Sequence, residues 1–212
     1  MGATLKVNLE APEDSVLAYA ADFIRVGGLV VYPTDTLYGI GANALNPRAV
    51  AELYEVKRRE ENKPVLVLID SIKSLESLVS NIPPAAYKMM GAFWPGPLTL
   101  VFKVARGLPE ALIRHGKTIA VRIPLSTLCM SLLQKAGCPI TATSANISGQ
   151  LTPETIAEIQ KQLGSGVDLY VDAGVLPQSM PSTVVDVTDA SPRILRDGAV
   201  PRERIREFIP DI

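Results

Sequence analysis

The chain reads as an α/β protein built on a mixed parallel and antiparallel sheet flanked by helices. Helical and extended patterns alternate along its length, and that alternation is the first reason. The second is that some strands follow a helix, as in βα units, while others lie close enough to pair as hairpins, which a purely parallel sheet does not allow. The third is size: 212 residues, 47% hydrophobic and 20% charged, can bury one real core. Residues 1–212 are therefore expected to form a single domain.

The elements follow in order. Pro12 opens a helix whose Val16, Leu17, Ala20 and Ile24 keep the 3.6-residue period, and Gly27–Gly28 ends it. Leu29–Tyr32 is a short buried strand stopped by Pro33. Asn46–Pro47 is an N-cap and first-turn pair, starting a helix with Val50, Leu53 and Tyr54 on one side. Val65–Ile69, apolar throughout, is a central strand. Asp70 caps a short helix, and Pro83–Pro84 leads into another that stops before the stiff turn Trp94–Pro95–Gly96–Pro97. Leu98–Val104 is a strand. In the strand Ile119–Ile123, Thr118, Ala120 and Arg122 share one face and Ile119, Val121 and Ile123 the other. Ser126–Ala136 is helical and closed by Gly137; Pro139–Thr143 is a strand; Thr152–Pro153 starts a helix to Leu163. Val167–Val171, Ser182–Val187 and Arg193–Arg196 are strands, and Pro201–Phe208 is a terminal helix. No repeat or low-complexity linker interrupts them, and Gln178–Pro181 is the segment expected to move.

Composition excludes several classes. A net charge of −1 and 5% aromatic residues do not suit a protein that coats nucleic-acid backbone, so any cationic site is local. Cys129, Cys138 and the lone His115 make neither CxxC nor HxxxH, so no zinc cluster and no protein-held metal is expected. Two lone thiols fit a reducing compartment. The start has no charged segment followed by an apolar run, and no apolar stretch approaches the roughly 18 residues that span a bilayer. A cytoplasmic protein without a membrane partner is expected.

Two arrangements with obvious chemistry fail on context, and two further motifs are absent. Gly39–Ile40–Gly41–Ala42–Asn43–Ala44 matches a dinucleotide-binding turn, but Glu60 and Glu61 lie in a charged helix end rather than at a strand tip. Glycines serving a tight strand explain it better. No Walker A sequence or G-x-S-x-G elbow is present. Ser144 lacks a base, since His115 lies in Arg114–His115–Gly116–Lys117, which reads as an exposed turn.

Two short pairs remain. Lys57 and Arg59, followed by Lys63, leave a helix; Ser144 and Asn146 sit at another element boundary. On a helix, residues two apart point in nearly opposite directions, whereas in an extended segment they share a face. Read as extended, the pairs form two walls of one polyanion site. Each also has a plainer reading: cations favour helix C-termini, and serine and asparagine favour turns. Arg122, mid-strand among apolar residues, needs an anion, either a ligand or an internal partner such as Asp35 or Asp186.

Six ordered segments together resemble the YrdC-type family of L-threonylcarbamoyladenylate synthases over roughly residues 14–198. They are Tyr32–Gly39, Lys57-x-Arg59 with Lys63–Pro64, Trp94–Thr99, Ala120–Pro124, Thr143–Gly149 and Ser182–Asp186. The resemblance implies a twisted mixed sheet around a concave, cationic cavity. It implies a reaction of L-threonine, bicarbonate or CO2, and ATP that yields threonylcarbamoyl-AMP and pyrophosphate. A separate tRNA threonylcarbamoyl-transferase complex would then place the group on an adenosine beside the anticodon.

By position, the resemblance makes Thr36, Arg122 and Ser182 threonine contacts. It makes Lys57, Arg59, Lys63, Thr118, Ser144, Asn146, Thr152 and Arg196 nucleotide contacts, with Lys57, Arg59, Ser144 and Asn146 the catalytic set. Mg2+ would arrive with ATP. Leu68 stands where many relatives have histidine, and Lys63 where asparagine is common; no counterpart of the extra C-terminal domain of longer members is expected. Two alternatives stand beside this reading: a double-stranded RNA-binding module, with weak RNA contact a lesser form of it, and a related carbamoyl transfer from carbamoyl phosphate.

Overall fold

The computed structural model describes residues 2–60, 63–113, 116–176 and 179–212. Its strands are β1 (Ala3–Lys6), β2 (Val30–Pro33), β3 (Tyr38–Gly41), β4 (Leu66–Leu68), β5 (Leu98–Lys103), β6 (Thr118–Arg122), β7 (Ile140–Ser144), β8 (Leu169–Asp172), β9 (Thr183–Asp186) and β10 (Arg193–Arg196). Its helices are α1 (Asp14–Val26), α2 (Pro47–Val56), α3 (Ile72–Glu76), α4 (Pro84–Phe93), α5 (Glu110–Ile113), α6 (Thr127–Ala136), α7 (Ile156–Leu163) and α8 (Arg202–Arg206). The strands lie in the order β1-β8-β2-β3-β7-β4-β6-β5-β9-β10. Pairs β1/β8, β8/β2, β4/β6 and β5/β9 are parallel and the others antiparallel, so the sheet is mixed, as the element order predicts.

Helix ends follow the local chemistry. The Asn46 side chain accepts from Arg48 N and Ala49 N with Pro47 in the first turn, and Gly27 and Gly137 close α1 and α6 at φ 100° and 65°. Two starts differ from expectation. Ser71, not Asp70, caps α3; Asp70 instead accepts from the hydroxyls of Ser71 (3.0 Å) and Ser74 (2.6 Å). Helix α7 begins at Ile156 rather than at Thr152–Pro153, because Thr155 and Glu158 form a reciprocal cap. Strand β1 and helix α5 carry no clear sequence signal.

The glycines of β3 serve close approach. A Cβ on Gly41 would stand 2.6 Å from Thr141 O and 2.7 Å from Tyr32 Cε1. Helix α2 starts six residues later, at Pro47, which removes the dinucleotide reading. Glu61, part of that comparison, lies outside the described residues, as do Arg114, His115 and Gln178.

One face of the sheet carries the larger core: Val31, Ile40, Val67, Leu100, Val121 and Val185 point there, with α2, α4, α7 and α8 packed on them. The other face is divided. Helices α1 and α6 cover β8, β2 and part of β7 through Leu17, Ile24, Leu128, Leu132, Val30 and Val171. Over β4, β6, β5 and β9 the same face has no such helical cover among the described residues, and the alternate residues of those strands line a cavity.

Candidate functional site

The cavity holds about 530 Å³. Its floor follows from strand alternation. Thr118, Ala120 and Arg122 of β6 all line it, as predicted, beside Leu66 and Leu68 of β4 and Thr99 and Val101 of β5. Ser144 enters from the end of β7, Ser182 and Val184 from β9 and its approach, and Arg196 from β10. The β2–β3 hairpin loop supplies Thr34, Asp35 and Thr36; it is held tight by the Thr34 hydroxyl, which accepts from the amides of Thr36 and Leu37 at 3.1 Å. Thr152 lies at an edge that continues into an annex of about 280 Å³, sharing Leu37 and Tyr38. Among the described residues, the basic ones lining the cavity are Arg59, Arg122 and Arg196, and the acidic one is Asp35.

Arg122 is 4% exposed. Its guanidinium pairs with Asp35 Oδ2 and donates from Nε to Gly96 O at 2.8 Å. Of the two internal partners its burial allowed, Asp35 is the one used; Asp186 instead accepts from Thr188 and lies 3.5 Å from Arg193. Asp35 Oδ1 is buried and has no hydrogen-bond partner among the described residues. Arg196 donates to the carbonyl (2.7 Å) and hydroxyl (3.1 Å) of Ser182, whose hydroxyl also meets Thr99 Oγ1 at 2.8 Å. Burial first, and then the charge of Arg122, lowers the Arg196 pKa.

The Lys57 and Arg59 pair does not leave its helix extended. Lys57 is the C-cap of α2, and Arg58 follows at φ 49°. Arg58 N donates to Glu55 O and Arg59 N to Tyr54 O, a Schellman closure with arginine where glycine is usual. The two side chains therefore diverge. Lys57 is 1% exposed, and its ammonium donates to Ser144 O (2.5 Å), Asn146 O (2.6 Å) and Asn146 Oδ1 (3.2 Å). Burial first, and then the charge of Arg59, pushes its pKa down to about 7. Three carbonyl acceptors act in the opposite direction.

Asn146 also stands behind the lining. Its amide donates to Gln150 O, and its Oδ1 receives the Ser144 hydroxyl, both at 2.5 Å. Lys57 and Asn146 thus form a buried bracket under Ser144. Arg59 alone of the pair lines the cavity, steadied by Lys63 O (3.0 Å) and Pro64 O (2.8 Å). The Lys63 ammonium is exposed and meets Glu60 at 2.8 Å, outside the lining.

Thr36, Arg59, Thr118, Arg122, Ser144, Thr152, Ser182 and Arg196 are therefore brought together around one space, and Lys57, Asn146 and Lys63 are not. Thr34, Asp35 and Thr99 complete the wall. Their signal was present in the hairpin and the Trp94–Thr99 segment, but only pairing across strands gives them their position.

Comparison with known proteins agrees over nearly the whole chain. A family model for Sua5, YciO and YrdC, described as telomere recombination, matches residues 22–198. A putative threonylcarbamoyl-AMP synthase of Mycobacterium tuberculosis is 44% identical over 190 residues, covering 90% of this chain and 87% of that protein. The threonylcarbamoyl-AMP synthase of Pyrococcus abyssi is 37% identical over 210 residues; the match spans 99% of this chain but 62% of that relative's length. The crystal structure of P. abyssi Sua5 complexed with L-threonine superposes with a TM-score of 0.93 at 37% identity, over 99% of this chain and 62% of the other. Escherichia coli YciO superposes with a TM-score of 0.87 at 26% identity, covering 97% of this chain and 100% of the other.

Proposed function

The chain belongs to the Sua5/YciO/YrdC family, and from that premise we propose that it joins L-threonine, CO2 or bicarbonate, and ATP into threonylcarbamoyl-AMP, releasing pyrophosphate. The observation that carries this reading is the convergence of Arg59, Arg122 and Arg196 with four hydroxyl side chains, Thr36, Thr118, Ser144 and Ser182, on one cavity. Its product would supply a tRNA threonylcarbamoyl-transferase complex in the cytoplasm. Among the described residues, no helix is long and apolar enough to cross a membrane.

The chemistry needs no general-base triad. The threonine amine takes up CO2 as a carbamate, and a carbamate oxygen attacks the α-phosphorus of ATP as pyrophosphate departs. The nucleophile is already charged, so the protein must hold two anions in line and offset their repulsion. In this reading Arg122 meets the threonine carboxylate, and Ser182 and Thr36, which line the same cavity, supply hydroxyls to the amino acid. In the same reading Arg59 and Arg196 offset phosphate charge, and Thr118 and Thr152 contact the nucleotide. Lys57 and Asn146 act through Ser144, whose hydroxyl proton goes to Asn146 Oδ1.

Mg2+ belongs to the substrate. It prefers six oxygen ligands and retains water, and ATP phosphates supply several of those oxygens. The carboxylate lining the cavity, Asp35, is engaged by Arg122, so the chain's own residues would serve the phosphates rather than the ion.

Mass spectrometry of protein, ATP, Mg2+, bicarbonate and threonine, each omitted in turn, tests the reading. A threonylcarbamoyl-AMP mass that needs every component supports it. Pyrophosphate release driven by carbamoyl phosphate without threonine overturns it in favour of the related carbamoyl transfer.

A further inference from the structure

We propose that Gln162, which lies outside the cavity lining, is a positioning residue: its side-chain amide ties both ends of the 147–151 turn to α7 and so sets where Thr152 meets the nucleotide. This rests on the proposed function and deepens it, by naming what holds one wall of that site.

The starting observation is a contrast between the two ends of one segment, Ser144 and Thr152, which both line the cavity. The Ser144 end is anchored from behind, where buried Lys57 donates to the carbonyls of Ser144 and Asn146. The Thr152 end has no core residue to anchor it. Every residue from Ile147 to Thr155 is exposed or half-buried, and Leu151 is 90% exposed. A stretch with so little buried apolar surface opens easily unless hydrogen bonds fix it.

Gln162 makes those bonds. Its Oε1 accepts from Ile147 N and its Nε2 donates to Leu151 O, both at 3.2 Å. Only one orientation of the amide meets an N–H and a carbonyl together. Between these points the turn closes on itself, since Gln150 N donates to Ile147 O and the Asn146 side chain to Gln150 O. A second tie runs from Ser148 N to Lys57 O at 2.8 Å, but Gln162 is the one that reaches Leu151. Gln162 stands on α7, whose Ile156, Ile159 and Leu163 are buried in the core. Support therefore passes from the core through α7 and Gln162 to Leu151, and Thr152 is the next residue. Ser144 keeps its own bracket of Lys57 and Asn146, so the effect of Gln162 on the ligand runs through Thr152.

A double-mutant cycle separates this role from general loosening. Equilibrium binding of ATP with Mg2+, and of L-threonine, is measured in wild type, Gln162→Ala, Gln162→Glu, Thr152→Val and the Gln162→Ala/Thr152→Val pair. Gln162→Ala and Thr152→Val should each weaken ATP about 3- to 10-fold, the worth of one neutral hydrogen bond, with threonine changed less than about twofold. The second substitution should add less than about twofold to the first, because both act on one contact. Gln162→Glu keeps the acceptor for Ile147 N but turns a carboxylate oxygen towards Leu151 O, so it should not restore ATP affinity. Additive losses would overturn the proposal, as would equal losses for ATP and threonine, wild-type ATP affinity in either single variant, or full rescue by Gln162→Glu. A thermal melt and retained threonine affinity establish that the variants are folded. Wild type that fails to bind ATP would overturn the proposed function itself, an outcome distinct from any difference among the variants.

Discussion

Lys57 and Arg59 show how much one backbone angle decides. Their separation in sequence suits a shared wall only if the chain is extended, and Arg58 at φ 49° turns it. Lys57 then works inward. Replacing it with methionine removes the ammonium from three carbonyl oxygens; Ser144 O keeps the Asn146 backbone amide and Asn146 Oδ1 the Ser144 hydroxyl, while Asn146 O loses its donor at a cost of about 1–3 kcal/mol. Lys57→Met should therefore lower Tm by several degrees and reduce kcat/KM about 10- to 1,000-fold together. Arg59→Ala should cost a similar factor, read mainly in ATP, while Tm moves by a degree or two. A Lys57→Met enzyme with wild-type Tm would contradict the bracket.

The same lysine sets a pH dependence. Its folded pKa is lowered from 10.5 to about 7 by burial and by Arg59. Between those values the unfolded chain binds more protons than the folded one, so this group's contribution to stability grows as pH rises and is lost as pH falls through about 7. Wild type should gain Tm over Lys57→Met between pH 7 and pH 10, measured by calorimetry; a difference that shrinks across that range would reverse the sign.

At the scale of elements, the legible signals were those made by neighbours in sequence. Asn46–Pro47, Ser126 and Gly137 mark helix ends because a cap is a local hydrogen bond. The strand carrying Thr118, Ala120 and Arg122 was legible because alternation assigns faces without knowing the partner strand. Ser71 and Thr155 were harder, since each competes with another capping residue nearby. Strand β1, four residues at the sheet edge with three exposed, has almost no apolar alternation to read. The second strand of the β2–β3 hairpin was read only from its glycines, as a tight strand without bounds or partner, because glycine carries no side-chain pattern. That gap has a measurable basis. Gly41→Ala would press a methyl group against Thr141 O and Tyr32, and should cost about 1–3 kcal/mol, seen as a lower Tm. Arg58→Gly should act oppositely: relief of the left-handed strain, less glycine's extra unfolded freedom, leaves about 0.5–1 kcal/mol and raises Tm. A fall would mean that the arginine side chain contributes more than its backbone costs.

For the whole molecule, the division of one sheet face between a helix pair and a cavity is what creates the site. Helices α1 and α6 seal the half where β2 and β8 lie, and β4, β6, β5 and β9 keep their polar alternates unsealed. No single segment announces this, because the residues that converge come from positions 34 to 196 and meet only through sheet order. The six-segment resemblance reached the same residues by position, without their geometry. It could not tell that Lys57 and Asn146 stand behind the wall.

Whether the two proposed substrates lie adjacent in that space can be measured directly. A stable analogue joining threonine to AMP through a non-hydrolysable linker is titrated by calorimetry against protein alone, protein with threonine, and protein with ATP. If carbamate and α-phosphate meet in the cavity, the analogue should compete with both ligands and bind at least about 100-fold tighter than either. Competition with only one of them, leaving the other bound, would contradict a shared site.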